Sequence, residues 1–157
     1  MKSIVARRYG GPEALELVDA PLPEPAEGQV RVRVAATSIN PLDWHELRGT
    51  PYLVRIPRGL PHPKDGAIGS DLAGTVDAVG PGVTRFAVGD EVFGCGRGAW
   101  AEQTVVAEKG LAPRPAGLGV VEAAGIGIAL SAGEFRLKPL ALQLRAARRI
   151  GSGIALH

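Results

Sequence analysis

Asn40 is the side chain in this sequence best placed to act on a carbonyl group. It ends a run of strand-forming residues and precedes Pro41, whose ring removes a backbone donor and restricts the residue before it. Its amide can therefore face a cleft and donate a hydrogen bond to an oxygen on which charge develops. The same position suits an asparagine that caps a helix over Leu42–Arg48 or closes a turn, and the residues leave both readings open. Tyr52 carries a second donor beyond Gly49; its hydroxyl can reach a carbonyl, or its ring can pack within a loop. For Asp43, pairing with Arg48 or accepting backbone donors is the favoured role.

The donor set argues against a metal. A catalytic zinc takes three ligands of cysteine, histidine or carboxylate type. His45, His62 and His157 show no ligand spacing, and the sequence has a single cysteine, Cys95. Asn40 and Ser70 are not strong ligands, and Asp71 is expected to satisfy local backbone donors. No glycine pattern meets the demands of a dinucleotide loop, which follows a buried strand and opens a helix. Gly125-Ile126-Gly127 lacks a third glycine, Gly151-Ser152-Gly153 follows Arg148-Arg149-Ile150, and Gly94 to Gly98 reads as a turn between strands.

Composition narrows the class. The 157 residues suffice for one domain with a real core, and 45% apolar with 22% charged residues is a globular balance. With 22 Gly and 13 Pro the chain is punctuated often, which favours short strands over long helices. Residues 1–130 hold 13 basic against 15 acidic side chains, whereas 131–157 hold five basic residues against Glu134 alone, so the high pI belongs to the tail. That tail lacks the interleaved aromatics of a nucleic-acid face. No apolar run reaches the ~18 residues that span a bilayer, and Arg7-Arg8 interrupt any early leader pattern. With no internal disulfide to form, the expected compartment is the cytoplasm.

The elements that must position Asn40 are strands. Ser3–Arg8 and Leu15–Val18 read as a hairpin, and the prolines of 20–25 forbid regular structure. Gln29 to Val34 alternates valine with polar residues, the pattern of a strand with one wet face, and Ala35–Ile39 continue it. Pro51 to Asp65 reads as a loop. Gly69 to Gly94 reads as strand residues through Val79, a Gly80-Pro81-Gly82 turn, Val83–Val88 running back as a second strand, and Gly89-Asp90 turning into Glu91-Val92-Phe93. Gly98–Val106 is another strand, Leu111 to Pro115 leave it, and Val120–Leu130 start a helix that Gly125 and Gly127 weaken. Leu140–Ile150 could form an amphipathic helix.

Together, Ser38-Ile39-Asn40-Pro41-Leu42-Asp43-Trp44 and Gly69 to Gly94 resemble the catalytic domain of medium-chain dehydrogenases/reductases, in the zinc-free quinone-oxidoreductase-like branch. The resemblance covers residues 1 to about 130, closing on Leu111 to Leu118. In zinc-dependent members a cysteine ligand stands in the place of Asn40, and Gly-His-Glu in the place of Gly69-Ser70-Asp71. The resemblance implies a mainly β fold, a GroES-like partly open β-barrel with a few short helices, over 1–130, followed by an atypical basic tail over 131–157. That tail is expected to be helical or disordered and to pack poorly on the barrel. It further implies NADPH as cofactor, with Asn40 and Pro41 beside the nicotinamide and Asn40 and Tyr52 acting on a quinone, carbonyl or enone substrate. The family's Rossmann domain is expected to be missing, which makes this chain a catalytic-domain fragment, inactive alone, left by an altered reading frame or split gene. In the split-gene case a separate Rossmann-containing chain is the expected partner; the competing expectation is an independent, non-catalytic β-domain that binds another partner or self-associates as a homo-oligomer.

Overall fold

The computed structural model describes residues 1–127. The expectations for the basic tail, Leu140–Ile150 and Gly151-Ser152-Gly153 lie outside those residues. Among the described residues seven strands form two sheets. β1 (Lys2–Ala6) and β2 (Leu15–Asp19) make the antiparallel hairpin that the sequence predicts, with Lys2 opposite Asp19 and Ala6 opposite Leu15. β3 (Gln29–Thr37), β4 (Asp71–Val79), β5 (Glu91–Cys95), β6 (Gln103–Ala107) and β7 (Leu111–Pro113) form an antiparallel sheet in the order β6-β3-β4-β5-β7. Three short helices join them: α1 (Pro41–Arg48), α2 (Arg55–Arg58) and α3 (Val120–Ala124).

The segment around Trp100 links the two sheets. The Ile4 N–H donates to the Trp100 carbonyl at 2.8 Å, Glu102 N–H to the Lys2 carbonyl at 3.0 Å, and Val34 N–H to the Glu102 carbonyl at 2.9 Å. Further along the same edge of β1, Ala6 N–H donates to the Gly66 carbonyl at 2.8 Å. These bonds curl the hairpin over one end of the larger sheet and give a partly open barrel. Its interior holds Val30, Val32, Leu72, Val76, Val92 and Val106, with Val34 and Val83 packed against them. Each fully buried aliphatic side chain of this kind is worth about 1.5–3 kcal/mol.

A bulge decides which face the end of β3 presents. Val34 pairs with Gly74, yet the next pair is Ala36 with Ala73, so Ala35 is an extra residue with no partner on β4. One inserted residue reverses the inside–outside alternation. Val34 therefore packs against the barrel interior, whereas Ala36 lies on the outer face with Ala73, Phe93, Ala123 and Ala124 under α3.

Three local expectations are corrected. Val83–Val88 is not a strand; it is an irregular crossing whose Phe86 is buried in the barrel, while β4 pairs instead with Glu91–Cys95. Leu111–Pro113 does not merely leave the sheet but forms edge strand β7 against β5, where a proline is tolerated because it lacks only an outward donor. The segment 51–65 is not all loop, since it contains a 3-10 turn over Tyr52–Val54 and the single turn α2.

Candidate functional site

The site is built where β3 ends, α1 begins and β4 starts. Asn40 has an extended backbone (φ −131°, ψ 169°) and is the N-cap of α1. Its Oδ1 accepts the N–H groups of Leu42 at 2.8 Å and Asp43 at 3.1 Å. Asp43 answers through Oδ2, which accepts the Asn40 N–H at 3.0 Å, completing a reciprocal cap. Pro41 occupies the first helical position, where its missing donor costs nothing. Gly49 ends the helix in the left-handed region at φ 61°.

Two buried carboxylates lie beneath this cap. Asp43 is 1% exposed and Asp71 2% exposed. Asp43 Oδ1 accepts the Ser70 hydroxyl at 2.8 Å. Burial pushes the Asp43 carboxyl above its usual range; the Asn40 N–H and Ser70 hydroxyl oppose that, and the Asp71 charge adds to it. Asp71 Oδ2 accepts both the Asn40 Nδ2–H at 2.9 Å and the Ser38 hydroxyl at 2.8 Å. The Thr37 hydroxyl donates to the Asp71 carbonyl at 2.6 Å, and Trp100 Nε1 to the Ser38 carbonyl at 3.2 Å. The Asn40 amide is thus engaged on both sides, with one Nδ2 hydrogen uncommitted among the described residues. Asp43 does accept a backbone donor; Arg48 lies elsewhere, its guanidinium 3.9 Å from the Trp44 ring centroid.

Tyr52 stands apart from this network. It is 72% exposed, and its ring centroid lies 4.5 Å from the Arg55 guanidinium. Tyr9, the chain's other tyrosine, lies against the same guanidinium at 4.4 Å and donates its hydroxyl to the Gly59 carbonyl at 2.7 Å. Arg55 Nε donates to the Gly49 carbonyl at 2.9 Å, so the turn carrying Tyr52 is fastened to the end of α1. A second fastening is the ion pair of Arg58 with Glu46 of α1, and burial pulls the Arg58 pKa down to about 10.

Beside the cap opens a groove of about 830 Å³. Ile4, Leu17, Val34, Ile39, Trp44 and Trp100 line it, and Asp43 contributes to its wall. Ile39 is 81% exposed and Leu17 70%; the groove meets the cap through Ile39 and Asp43, and Asn40 itself does not line it. Among the described residues no three His, Cys, Asp or Glu side chains converge to hold a metal ion. No helix among them is long and apolar enough to cross a membrane. Gly80-Pro81-Gly82 joins no helix, and Gly119 opens only the five-residue α3. None of these turns follows a buried strand and opens a long helix, so the described residues form no diphosphate cradle.

Residues 26–116 match the alcohol dehydrogenase GroES-like domain, and the chain belongs to that family. Within it, the likeness is to the quinone-oxidoreductase-like members of the medium-chain dehydrogenase/reductase superfamily. The chain is 40% identical to the quinone oxidoreductase of Pseudomonas aeruginosa over 80% of its own length and 37% of that protein. It is 36% identical to the chloroplast envelope quinone oxidoreductase homolog of Arabidopsis thaliana over 92% of its length and 44% of that protein. Escherichia coli quinone oxidoreductase complexed with NADPH superposes with a TM-score of 0.71 at 27% identity, over 88% of this chain and 42% of that one. The chain thus spans well under half the length of these relatives.

Sequence reasoning placed Asn40 at the head of a helix but did not join it to Asp71, which lies 31 residues away. It also left Ser38 and Ser70 without partners. One signal was available: Asn40 and Asp43 stand at the N-cap and N3 spacing of a reciprocal cap. No sequence pattern marked the apolar groove.

Proposed function

We propose that this chain is the catalytic domain of an NADPH-dependent, zinc-free oxidoreductase acting on quinones or other activated carbonyl and enone compounds. The observation that carries the reading is the Asn40 amide: held on both sides next to Ile39 and Asp43 of the apolar groove, it keeps one N–H uncommitted among the described residues. Bound NADPH would supply the hydride. Asn40 and Pro41 would flank the nicotinamide, and Asn40 with Tyr52 would donate to the substrate oxygen, stabilising charge that develops on it. The zinc-free assignment rests on donor chemistry, since asparagine and serine stand at Asn40 and Ser70 where ligands would be needed. A cytoplasmic setting follows from the lone cysteine.

The chain alone is inactive in this reading, because it spans only 37–44% of its curated relatives and the described residues form no diphosphate cradle. Purified protein mixed with NADPH and a quinone should oxidise no cofactor above a no-enzyme control. Adding the remaining section of the Pseudomonas aeruginosa relative as a separate polypeptide should restore turnover, and Asn40→Ala should abolish it. Turnover by the chain alone overturns the fragment reading, and full activity of Asn40→Ala overturns the assigned role.

A second reading has its own support. Tyr52, Leu53, Ile56 and Leu60 are 64–72% exposed within nine residues, a contiguous apolar display that suits a binding or self-association domain. Sedimentation of the purified chain separates the two: a stable dimer with no response to the added section favours this one.

A further inference from the structure

The Asn40 amide has two faces, and each is claimed by a group of opposite character. Oδ1 takes two backbone N–H groups of α1, while Nδ2 donates to a buried carboxylate oxygen of Asp71. Turning the amide over would set Oδ1 against Asp71 Oδ2 at 2.9 Å, oxygen to oxygen, and would point Nδ2 at two donors. Either mismatch sets like against like and leaves the amide and its partners unsatisfied. The helix cap alone fixes where Oδ1 goes; it does not fix the tilt of the amide plane. Asp71 supplies that second point, and Ser38 and Thr37 hold Asp71 by its carboxylate and its carbonyl.

From this geometry we infer that Asp71 is a positioning residue: it locks the Asn40 amide so that the site offers an N–H donor and no acceptor, and so takes ligands through a carbonyl-type oxygen. The inference rests on the reading of Asn40 as a ligand-facing donor and adds what selects its polarity. A quinone oxygen or the carboxamide oxygen of nicotinamide fits such a donor; an alcohol or amine arriving hydrogen-first does not. Asp71 touches no ligand in this scheme and acts through Asn40.

The test needs no turnover, because Asn40 is the only asparagine in the sequence. Selective ¹⁵N-asparagine labelling of the whole chain therefore gives one side-chain amide with two resolvable protons. The proton facing Asp71 should exchange with water about tenfold or more slowly than its geminal partner, the protection of a hydrogen bond to a charged acceptor. Asp71→Asn should erase that difference and Asp71→Glu should restore part of it. Ser38→Ala, which leaves the carboxylate in place, should keep it. The Leu42 N–H, which reports the cap alone, should stay protected throughout. A scalar coupling across the bond from Asn40 Nδ2 to the Asp71 carboxyl carbon gives the same answer in the unmutated chain should Asp71→Asn fail to fold. Equal exchange of the two protons, no coupling, or a difference that survives Asp71→Asn overturns the proposal. Titration with NADPH in the presence of the added section of the Pseudomonas aeruginosa relative tells the two layers apart: a protected proton with no shift at Asn40 in that complemented enzyme removes the ligand-facing role and leaves the orienting bond intact.

Discussion

The Ser70 hydroxyl donates to Asp43 Oδ1 at 2.8 Å, tying the residue before β4 to the first turn of α1. The same carboxylate takes the Asn40 N–H, so a single buried side chain joins sheet, helix and cap. Burial outweighs both donors and holds the Asp43 carboxyl above its ordinary value of 3.8. The folded state then binds this proton more tightly than the unfolded chain. Its contribution to stability is complete below about pH 3.8 and is lost as pH rises through the higher folded value. Asp43→Asn should flatten that slope in urea melts taken at a series of pH values. A variant whose stability falls with pH as steeply as the parent contradicts the assignment. Asp43→Ala should cost about 2–4 kcal/mol near neutral pH, since the Ser70 hydroxyl and the Asn40 N–H lose their acceptor, and more in acid, where the Asp43 contribution is complete.

The Arg58–Glu46 pair fastens α2 to α1, with the two side chains 17% and 9% exposed. Glu46 Oε2 has no hydrogen-bond partner among the described residues, where the arginine is this carboxylate's main compensation. Arg58→Met should destabilise by about 3–5 kcal/mol, the cost of stranding a buried charge. Adding Glu46→Gln to that variant should recover most of the loss. A double variant no more stable than the single one would show that the pair is not coupled.

Gly127 lies where a side chain cannot. A Cβ there would sit 2.3 Å from the Gly94 carbonyl oxygen and 2.6 Å from Asp71 Oδ1. Both atoms belong to the sheet, so Gly127→Ala should cost about 1–3 kcal/mol by overpacking. Gly125, with φ −73° and the Glu122 carbonyl oxygen 3.5 Å from where a Cβ would sit, has room. Gly125→Ala should be neutral or add up to about 1 kcal/mol. Thermal melts showing the two substitutions alike would exclude this packing.

The tyrosines against Arg55 are unequal. Tyr9 donates its hydroxyl to the Gly59 carbonyl at 2.7 Å, whereas Tyr52 is 72% exposed. Tyr9→Phe should cost about 1 kcal/mol and Tyr52→Phe nearly nothing in denaturant melts, because the phenylalanine ring keeps the cation contact in both. In the complemented enzyme, Tyr52→Phe should lower kcat, as loss of a donor to the substrate oxygen requires. Unchanged kcat would leave Tyr52 with packing alone.

The parts of the fold that local chemistry decides were open to sequence reading. The valine alternation of β3 and the Gly80-Pro81-Gly82 turn reflect burial and backbone limits that act within a few residues. Val83–Val88 misleads for a physical reason: Val83 and Phe86 are apolar because they plug the barrel, and strand pairing was not needed to bury them. The extra residue at Ala35 leaves no trace, since alanine suits either face. At the site, the cap lies within four residues of chain and could be read. The Asn40–Asp71 and Asp43–Ser70 bonds span 31 and 27 residues and depend on how β3 and β4 register, which no local pattern reveals.

The groove has a further property that comes from its walls. Trp44 and Trp100, the only tryptophans in the sequence, both line it, and no tryptophan lies in the interior of the sheet. Ultraviolet emission excited at the indole band therefore reports this one surface and is silent about the rest of the domain. Whatever settles between the hairpin and α1, whether an apolar small molecule or a stretch of polypeptide, writes its arrival into the emission maximum, and the molecule serves as its own optical gauge of occupancy.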